Sequence, residues 1–231
     1  MNILGLETST SVCAVALVRE GGIDIEHSIT ESHIHSEKLL TLIQKVLAEA
    51  RLPINELTAV AVSKGPGSFT GLRIGMSTAK GLCYALGKPL VLVSTFDAVA
   101  ASVGLQIDEN RHIFVLVDAK QGEFYAGEYT IQNGRVQAEG SAGIIPVRDI
   151  PNKIPIDVKS CVVTDRVHTI RDMLGERADV LELQQHCRGA AVARIAQQSV
   201  RERAFADIAS SEPLYLKEFV VRRQEKSGIL H

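Results

Sequence analysis

Tryptophan is absent from the 231-residue chain, and aromatic residues make up only 4% of it. That scarcity argues against a platform on which nucleic-acid bases stack. There are four cysteines, and no two stand in a C-x-x-C spacing. Cys13 and Cys83 sit in apolar runs and read as small core residues, a usage that fits a reducing cytosol. Charge of one sign is scarce too. The net charge is −2, so no basic field exists to hold nucleic acid by itself. The one basic cluster, Lys217, Arg222, Arg223 and Lys226, reads as a solvated tail or as an RNA or partner contact. No apolar run approaches the roughly 18 residues of a membrane span. Met1-Asn2-Ile3-Leu4-Gly5-Leu6-Glu7 lacks a basic leader region, so it reads as a strand and not as a signal peptide. A cytoplasmic protein is the expectation.

What is present is ordinary for a globular chain: 45% hydrophobic and 23% charged residues, enough for one large domain or two small ones. The stretch Lys64–Gly81 stands out. It follows the apolar run Ala59–Val62, a buried strand, which Gly65, Pro66 and Gly67 break. A helix is expected from Thr70 to about Leu86, capped by Ser68 or Thr70 and ended by Gly87 and Pro89. Gly71, Gly75 and Gly81 lie inside it, at a combined cost of about 2–3 kcal/mol against alanine. Gly71, Gly75 and Ala79 form one row without side chains, because they are four residues apart. The row serves either tight packing within the chain or close contact with another protein. The loop is not a P-loop, since no lysine follows its glycines at the required place.

Taken in order, the chain opens as a meander: strands at Ile3–Leu6, Val12–Val18 and Ile23–Ile29, with Glu7-Thr8-Ser9-Thr10-Ser11 as the first turn. A helix follows at Ser36–Arg51. Its apolar positions Leu39, Leu40, Leu42, Ile43, Val46, Leu47 and Ala50 span a wider arc than core packing requires, so part of the face is either free for a partner or buried on both sides. His33 and His35 could share a metal, but no third ligand is evident nearby, and no metal site is expected. Leu90–Val93 is another strand. Gln106–Arg111 is the expected break between lobes, giving units 1–106 and 107–231. The opening pattern then returns. Ile113–Val117 runs into Asp118, a turn carries Gly122, Glu123–Tyr129 alternates, and Asn133-Gly134 turns the chain again. Glu7 corresponds to Asp118 and Gly22 to Gly134 at nearly the same offset, as expected of a duplication. The two acids are expected to face each other across a cleft. Pro146–Val158 is loop-like, Cys161–Thr164 a strand, Arg166–Leu174 a short helix and Gly189–Ala206 a long amphipathic one.

Two α/β lobes, each with mixed sheets flanked by helices and a carboxylate at its first hairpin, resemble the actin/Hsp70/sugar-kinase (ASKHA, RNase H-like) architecture. Three blocks narrow this: Ile3–Thr10, Lys64–Gly75 with its Gly-Pro-Gly-Ser-Phe-Thr-Gly core, and Pro213–Leu216. They resemble the TsaB (YeaZ) family of bacterial tRNA threonylcarbamoyladenosine biosynthesis proteins. Members of that family are expected to carry Asp where this chain has Glu7. The resemblance implies a heterodimer with the paralogue TsaD, help from the ATPase TsaE, and transfer of threonylcarbamoyl to N6 of adenosine 37 in tRNAs that read codons beginning with A. It places Leu39, Leu42, Ile43 and Val46 of the first helix and Gly71, Leu72, Gly75, Met76 and Ala79 of the second at the partner surface. Their inner faces keep a core-packing role. The same surface could pair two copies of the chain when no partner is present.

TsaD reads Asn-His-x-x-x-His after its corresponding strand, and those histidines bind its metal. Here the segment is Val93-Ser94-Thr95-Phe96-Asp97-Ala98-Val99-Ala100, without either histidine. No catalytic residues of the chain's own are expected, because the groups that would polarise a carbamoyl or phosphate are missing, and no Ser-His-Asp or Cys-His set replaces them. Glu7, Thr8, Ser9, Asp118 and Gly122 are the remnants of a nucleotide site. ATP or ADP is expected only as a weak ligand or one bound by the complex. Two alternatives remain open. A metalloprotease-like hydrolase would need zinc at His33 and His35. A small-molecule kinase of the sugar-kinase class would turn over ATP alone and lose that activity in Asp118→Asn.

Overall fold

The structure, a computed structural model, describes residues 1–22, 24–31, 34–107, 111–132 and 134–217. Its first half comprises β1 (Asn2–Glu7), β2 (Val12–Arg19), β3 (Ile25–Thr30), α1 (His35–Glu49), β4 (Ala59–Ser63), α2 (Phe69–Leu86) and β5 (Leu90–Val93). These strands form one mixed sheet in the order β3-β2-β1-β4-β5, with β1 antiparallel to β2 and parallel to β4. Side chains alternate along β1. Leu4 and Leu6 enter the core under α1 and α2 with Leu39, Val46, Met76 and Ala79, while Ile3 enters the core on the opposite face.

The second half comprises α3 (Thr95–Gly104), β6 (His112–Lys120), β7 (Glu123–Gln132), β8 (Arg135–Ala138), β9 (Gly143–Pro146), α4 (Ile150–Lys153), β10 (Ser160–Thr164), α5 (Val167–Leu174), β11 (Ala178–Glu182) and α6 (Gly189–Glu202). Its sheet runs β11-β10-β6-β7-β8, with β9 also on β7. The antiparallel and parallel pairings repeat those of the first sheet, with β6 in the place of β1 and β10 in that of β4. The duplication expected from the two acidic strand ends is therefore present as a repeated topology.

Strand β9 was not read from the sequence, and three other elements escaped it for physical reasons. The helix α3 is apolar almost all round, with Phe96, Ala98, Val99, Ala100 and Val103 all buried, so no one-sided stripe marks it. Strand β11 has no fully buried residue, so its apolar alternation is weak. The proline-rich stretch after β9 folds into the single turn α4, with a proline in its first turn, where a missing amide costs nothing.

The boundary between residues 106 and 107 separates the strands but not the helices. From the second half, α6 returns to lie on the first sheet, and Ala190, Val192, Ala193 and Ala196 pack against Ile3, Ala16, Ala61 and Val91. The approach is close because glycines meet there. A Cβ on Gly5 would lie 2.1 Å from the Gly189 carbonyl oxygen. Helix α3 closes the opposite core, with Phe96 and Val99 against Ile113, Val115 and Tyr129. The two lobes are thus joined through α3 and α6, with the cleft opening elsewhere.

Candidate functional site

The cleft measures about 810 Å³. One wall is the β1–β2 turn (Ser9, Thr10, Ser11), the start of α1 (His35, Ser36) and the start of α2 (Ser68, Phe69, Thr70). The other is the end of β6 (Val117, Asp118, Ala119, Lys120) with Tyr125 and Asp165. Asp165 was not singled out from the sequence. Its one signal was its place at the end of the strand that repeats β4.

Glu7 does not face Asp118 across this cleft. Its side chain is fully buried, and Oε1 accepts hydrogen bonds from the Ser9 amide at 2.6 Å and the Ser9 hydroxyl at 2.5 Å. Burial pushes its carboxyl above the ordinary value of 4.5, against the opposing effect of those Ser9 bonds and of the Ser63 hydroxyl. Its carboxylate is folded back onto its own turn, and Glu7 is not among the residues lining the cleft.

Asp118 does line the cleft. Burial alone would raise its carboxyl. The Lys120 amide at 2.8 Å, the Lys120 ammonium at 3.1 Å and the Arg166 guanidinium at 3.1 Å outweigh that and hold it below the usual carboxylate range. Asp165 is pushed the other way, first by burial and then by the nearby Asp118 charge, although it accepts the Asp118 amide at 3.0 Å. Gly122 sits in the β6–β7 turn at φ +76° with its carbonyl on the Val147 amide, and it is not among the residues lining the cleft.

Loop and helix are locked together at the other wall. The Ser68 amide donates to the Ser9 carbonyl at 2.6 Å, so the first amide at the start of α2 is already occupied by the chain's own backbone. Ser68 caps the helix by accepting from the Gly71 amide, and Gly87 ends it at φ +62°, both as expected. The glycine row faces inward. A Cβ on Gly71 would lie 2.1 Å from the Thr8 carbonyl oxygen, and one on Gly75 would lie 2.2 Å from Thr8 Oγ1. Leu39, Leu42, Ile43, Val46, Leu72, Met76 and Ala79 are likewise buried in the chain's own core. On α1 the large apolar side chain left exposed is Leu40, at 56%. The nine residues expected at a partner surface therefore pack within the chain, because the row follows the β1–β2 turn. The outward sides of these helices carry Leu40, Thr41, Gln44, Arg73, Ser77, Gly81 and Tyr84.

His35 is buried with Nε2 3.1 Å from the Val12 carbonyl oxygen. His33, Arg222, Arg223, Lys226 and Asn133 lie outside the described residues. Among the described residues, no group of three or more His, Cys, Asp or Glu is placed to hold a metal, and no helix is long and apolar enough to cross a membrane. The segment Val93–Ala100 is the end of β5 and the start of α3. Thr95 and Val99 are both fully buried there.

The TsaD family model, described as tRNA N6-adenosine threonylcarbamoyltransferase, matches residues 20–218. A relative from Buchnera aphidicola (subsp. Schizaphis graminum), the tRNA threonylcarbamoyladenosine biosynthesis protein TsaB, is 34% identical over 155 residues, 66% of this chain and 72% of that one. The chain belongs to the TsaB (YeaZ) branch of this family. Escherichia coli TsaB is 33% identical over 129 residues, 56% of this chain and 55% of that protein, so the chain spans about half the length of several TsaB proteins it matches. YeaZ from Pseudomonas aeruginosa has the same architecture, with a TM-score of 0.79 and 25% identity over 93% of this chain and all of that one.

The buried Glu7 leads to an expected pH dependence of stability. A carboxyl raised by folding stabilises the fold below its unfolded value, and that contribution is lost as pH rises through the folded value. Glu7→Gln keeps an acceptor for Ser9 and cannot ionise. Its thermal midpoint should vary less between mildly acidic and neutral pH than that of the wild type, and at neutral pH it should equal or exceed it. An unchanged pH slope in the variant would show that Glu7 is not the group responsible.

Proposed function

We propose that the chain is a non-catalytic subunit of a tRNA-modifying assembly. It acts with TsaD and TsaE in the transfer of threonylcarbamoyl to N6 of adenosine 37 in tRNAs reading codons that begin with A. The observation that carries this reading is the start of α3. Where the resemblance sets TsaD's metal-binding histidines, this chain has the segment Val93–Ala100, in which Thr95, Phe96, Ala98, Val99 and Ala100 are buried. The segment holds no histidine, and none of its residues lines the cleft. The closed β1–β2 turn supports the same reading, since a sealed Glu7 and an occupied α2 amide leave little to grip phosphate. ATP or ADP then belongs to the complex and not to this chain alone.

The chain's contribution is to present a surface. With the glycine row committed to Thr8, TsaD docks on the outward sides of α1 and α2. There Tyr84 is 84% exposed, and a Cβ on Gly81 would meet nothing within 4 Å. Two copies of the chain pair through the same sides when TsaD is missing. The test is reconstitution with TsaD, TsaE, threonylcarbamoyl-AMP, ATP and tRNA, omitting one protein at a time. Modified adenosine should form only with this chain and TsaD both present, and the chain alone should turn over nothing. Turnover by the pure chain at an enzyme-like rate overturns the proposal.

A further inference from the structure

After α6 the chain has one more task. Arg203 ends the helix in the left-handed region, at φ +56°. Residues 204–217 then run without helix or strand back across the first lobe. The Ala206 amide donates to the Leu90 carbonyl at 2.9 Å, and Lys80 Nζ on α2 donates to the carbonyls of Ala209 and Ser211, each at 3.1 Å. The Leu214 amide donates to the Lys64 carbonyl at 2.7 Å. Tyr215 then packs on the Phe69 ring, centroids 5.0 Å apart, and its hydroxyl accepts from Arg73 Nε at 3.1 Å. Two residues further on, Lys217 has crossed to the second lobe. Its ammonium donates to Glu123 Oε2 at 2.7 Å and to the Ala119 carbonyl at 3.3 Å.

The position of this crossing matters. The lobes are joined through α3 and α6 by packed apolar side chains. Phe69 and Ala119, which the strap bridges, both line the cleft. The strap therefore closes the side on which the lobes could part. Its seat is shaped for it, since a Cβ on Gly65 would lie 2.7 Å from the Leu214 carbonyl oxygen. The two ends differ in strength. The first-lobe end holds backbone hydrogen bonds and a ring contact. Among the described residues, the second-lobe end is the Lys217 ammonium, whose ion pair is 27% and 35% exposed at its two side chains, a class that is weak and screened by salt.

We infer that residues 204–217 form a clasp that sets the opening of the cleft, anchored permanently at Leu214 and Tyr215 and releasable at Lys217. Small-molecule or protein ligands that need a wider cleft work against the Lys217 contacts, the strap's tie to the second lobe among the described residues. Release leaves the strap seated on the first lobe and frees the second to turn about α3 and α6.

The clasp is tested by distance measurement between nitroxide labels at Gln44→Cys on α1 and Asp172→Cys on α5, both exposed. The four native cysteines are buried, so labelling is confined to the introduced sites. Lys217→Met and Glu123→Gln should each shift the distribution to longer distances or at least double its width. The double variant should go no further than either single one, since the two changes break the same tie. Raising salt from about 0.1 to 1 M shortens the screening length from roughly 10 to 3 Å, so it should widen the wild-type distribution and leave that of Lys217→Met unmoved. Distributions in both single variants that superimpose on the wild type would overturn the inference. So would a salt response that persists in Lys217→Met. Both substitutions are at partly exposed positions, so the test does not depend on variants that fail to fold.

Discussion

Gly71→Ala should cost the isolated chain several degrees of thermal stability. The new methyl group would lie 2.1 Å from the Thr8 carbonyl oxygen, and that neighbour is backbone held in the turn that also seats Ser68 on Ser9. Relief requires α2 to lift from β1 or the turn to move. Either would disturb the packing of Leu72, Met76 and Ala79, which are buried beneath the helix. Overpacking of this kind costs about 1–3 kcal/mol, and for a chain of this size that corresponds to a fall of roughly 3–10 °C in the midpoint. Gly81→Ala is the matched control. Its Cβ meets nothing, so relief of the interior-glycine cost should raise stability by up to about 1 kcal/mol. A second comparison separates side chain from backbone. A Cβ on Gly75 meets the Thr8 hydroxyl, whereas one on Gly71 meets the Thr8 carbonyl. Thr8→Ala should therefore recover much of the loss in Gly75→Ala and little of that in Gly71→Ala. Midpoints in Gly71→Ala and Gly81→Ala that match the wild type would refute the packing account, and the row would again be available to a partner.

The sequence was legible where its signals are local. The strand ends, the Ser68 cap, the Gly87 terminator and the duplicated acid-turn pattern are local signals, and they stand in the structure close to where they were expected. The inward-facing row was legible as a row but not in its direction. Four-residue spacing specifies a shared helix face and says nothing of what lies against it. Thr8, more than sixty residues earlier in the chain, decides that. Glu7 and Asp118 are equivalent by repeat, and each accepts the amide two residues on, but their environments are opposite: Glu7 is sealed in the core, while Asp118 lines the cleft and is also held by the Lys120 ammonium and Arg166. The return of α6 to the first sheet was hidden for a similar reason. Its signal is the pairing of Gly5 with Gly189, a contact between residues at nearly opposite ends of the chain.

Tyr84→Ala should separate association from folding, which no buried glycine can do. Tyr84 is 84% exposed, and Leu40 on the neighbouring helix is 56% exposed. Truncating such a side chain leaves a monomer's stability within about 0.5 kcal/mol. If the outward sides of α1 and α2 are where TsaD docks, an exposed tyrosine on a helix with an open glycine beside it is the kind of anchor that carries binding energy. Loss of such an anchor weakens association by about 2 kcal/mol or more, on the order of thirtyfold. Titration of TsaD with Tyr84→Ala and with Leu40→Ser, followed by calorimetry, should show that loss while the thermal midpoint of each variant alone holds. Formation of threonylcarbamoyladenosine should fall in step and recover when TsaD is raised well above its weakened dissociation constant. Arg73 belongs to the same face but is unsuitable for this test, because it anchors Tyr215 and so acts on the strap as well. Unweakened binding in the Tyr84→Ala, Leu40→Ser double variant would move the docking surface away from these helices. The subunit role would then have to rest on some other face of the molecule.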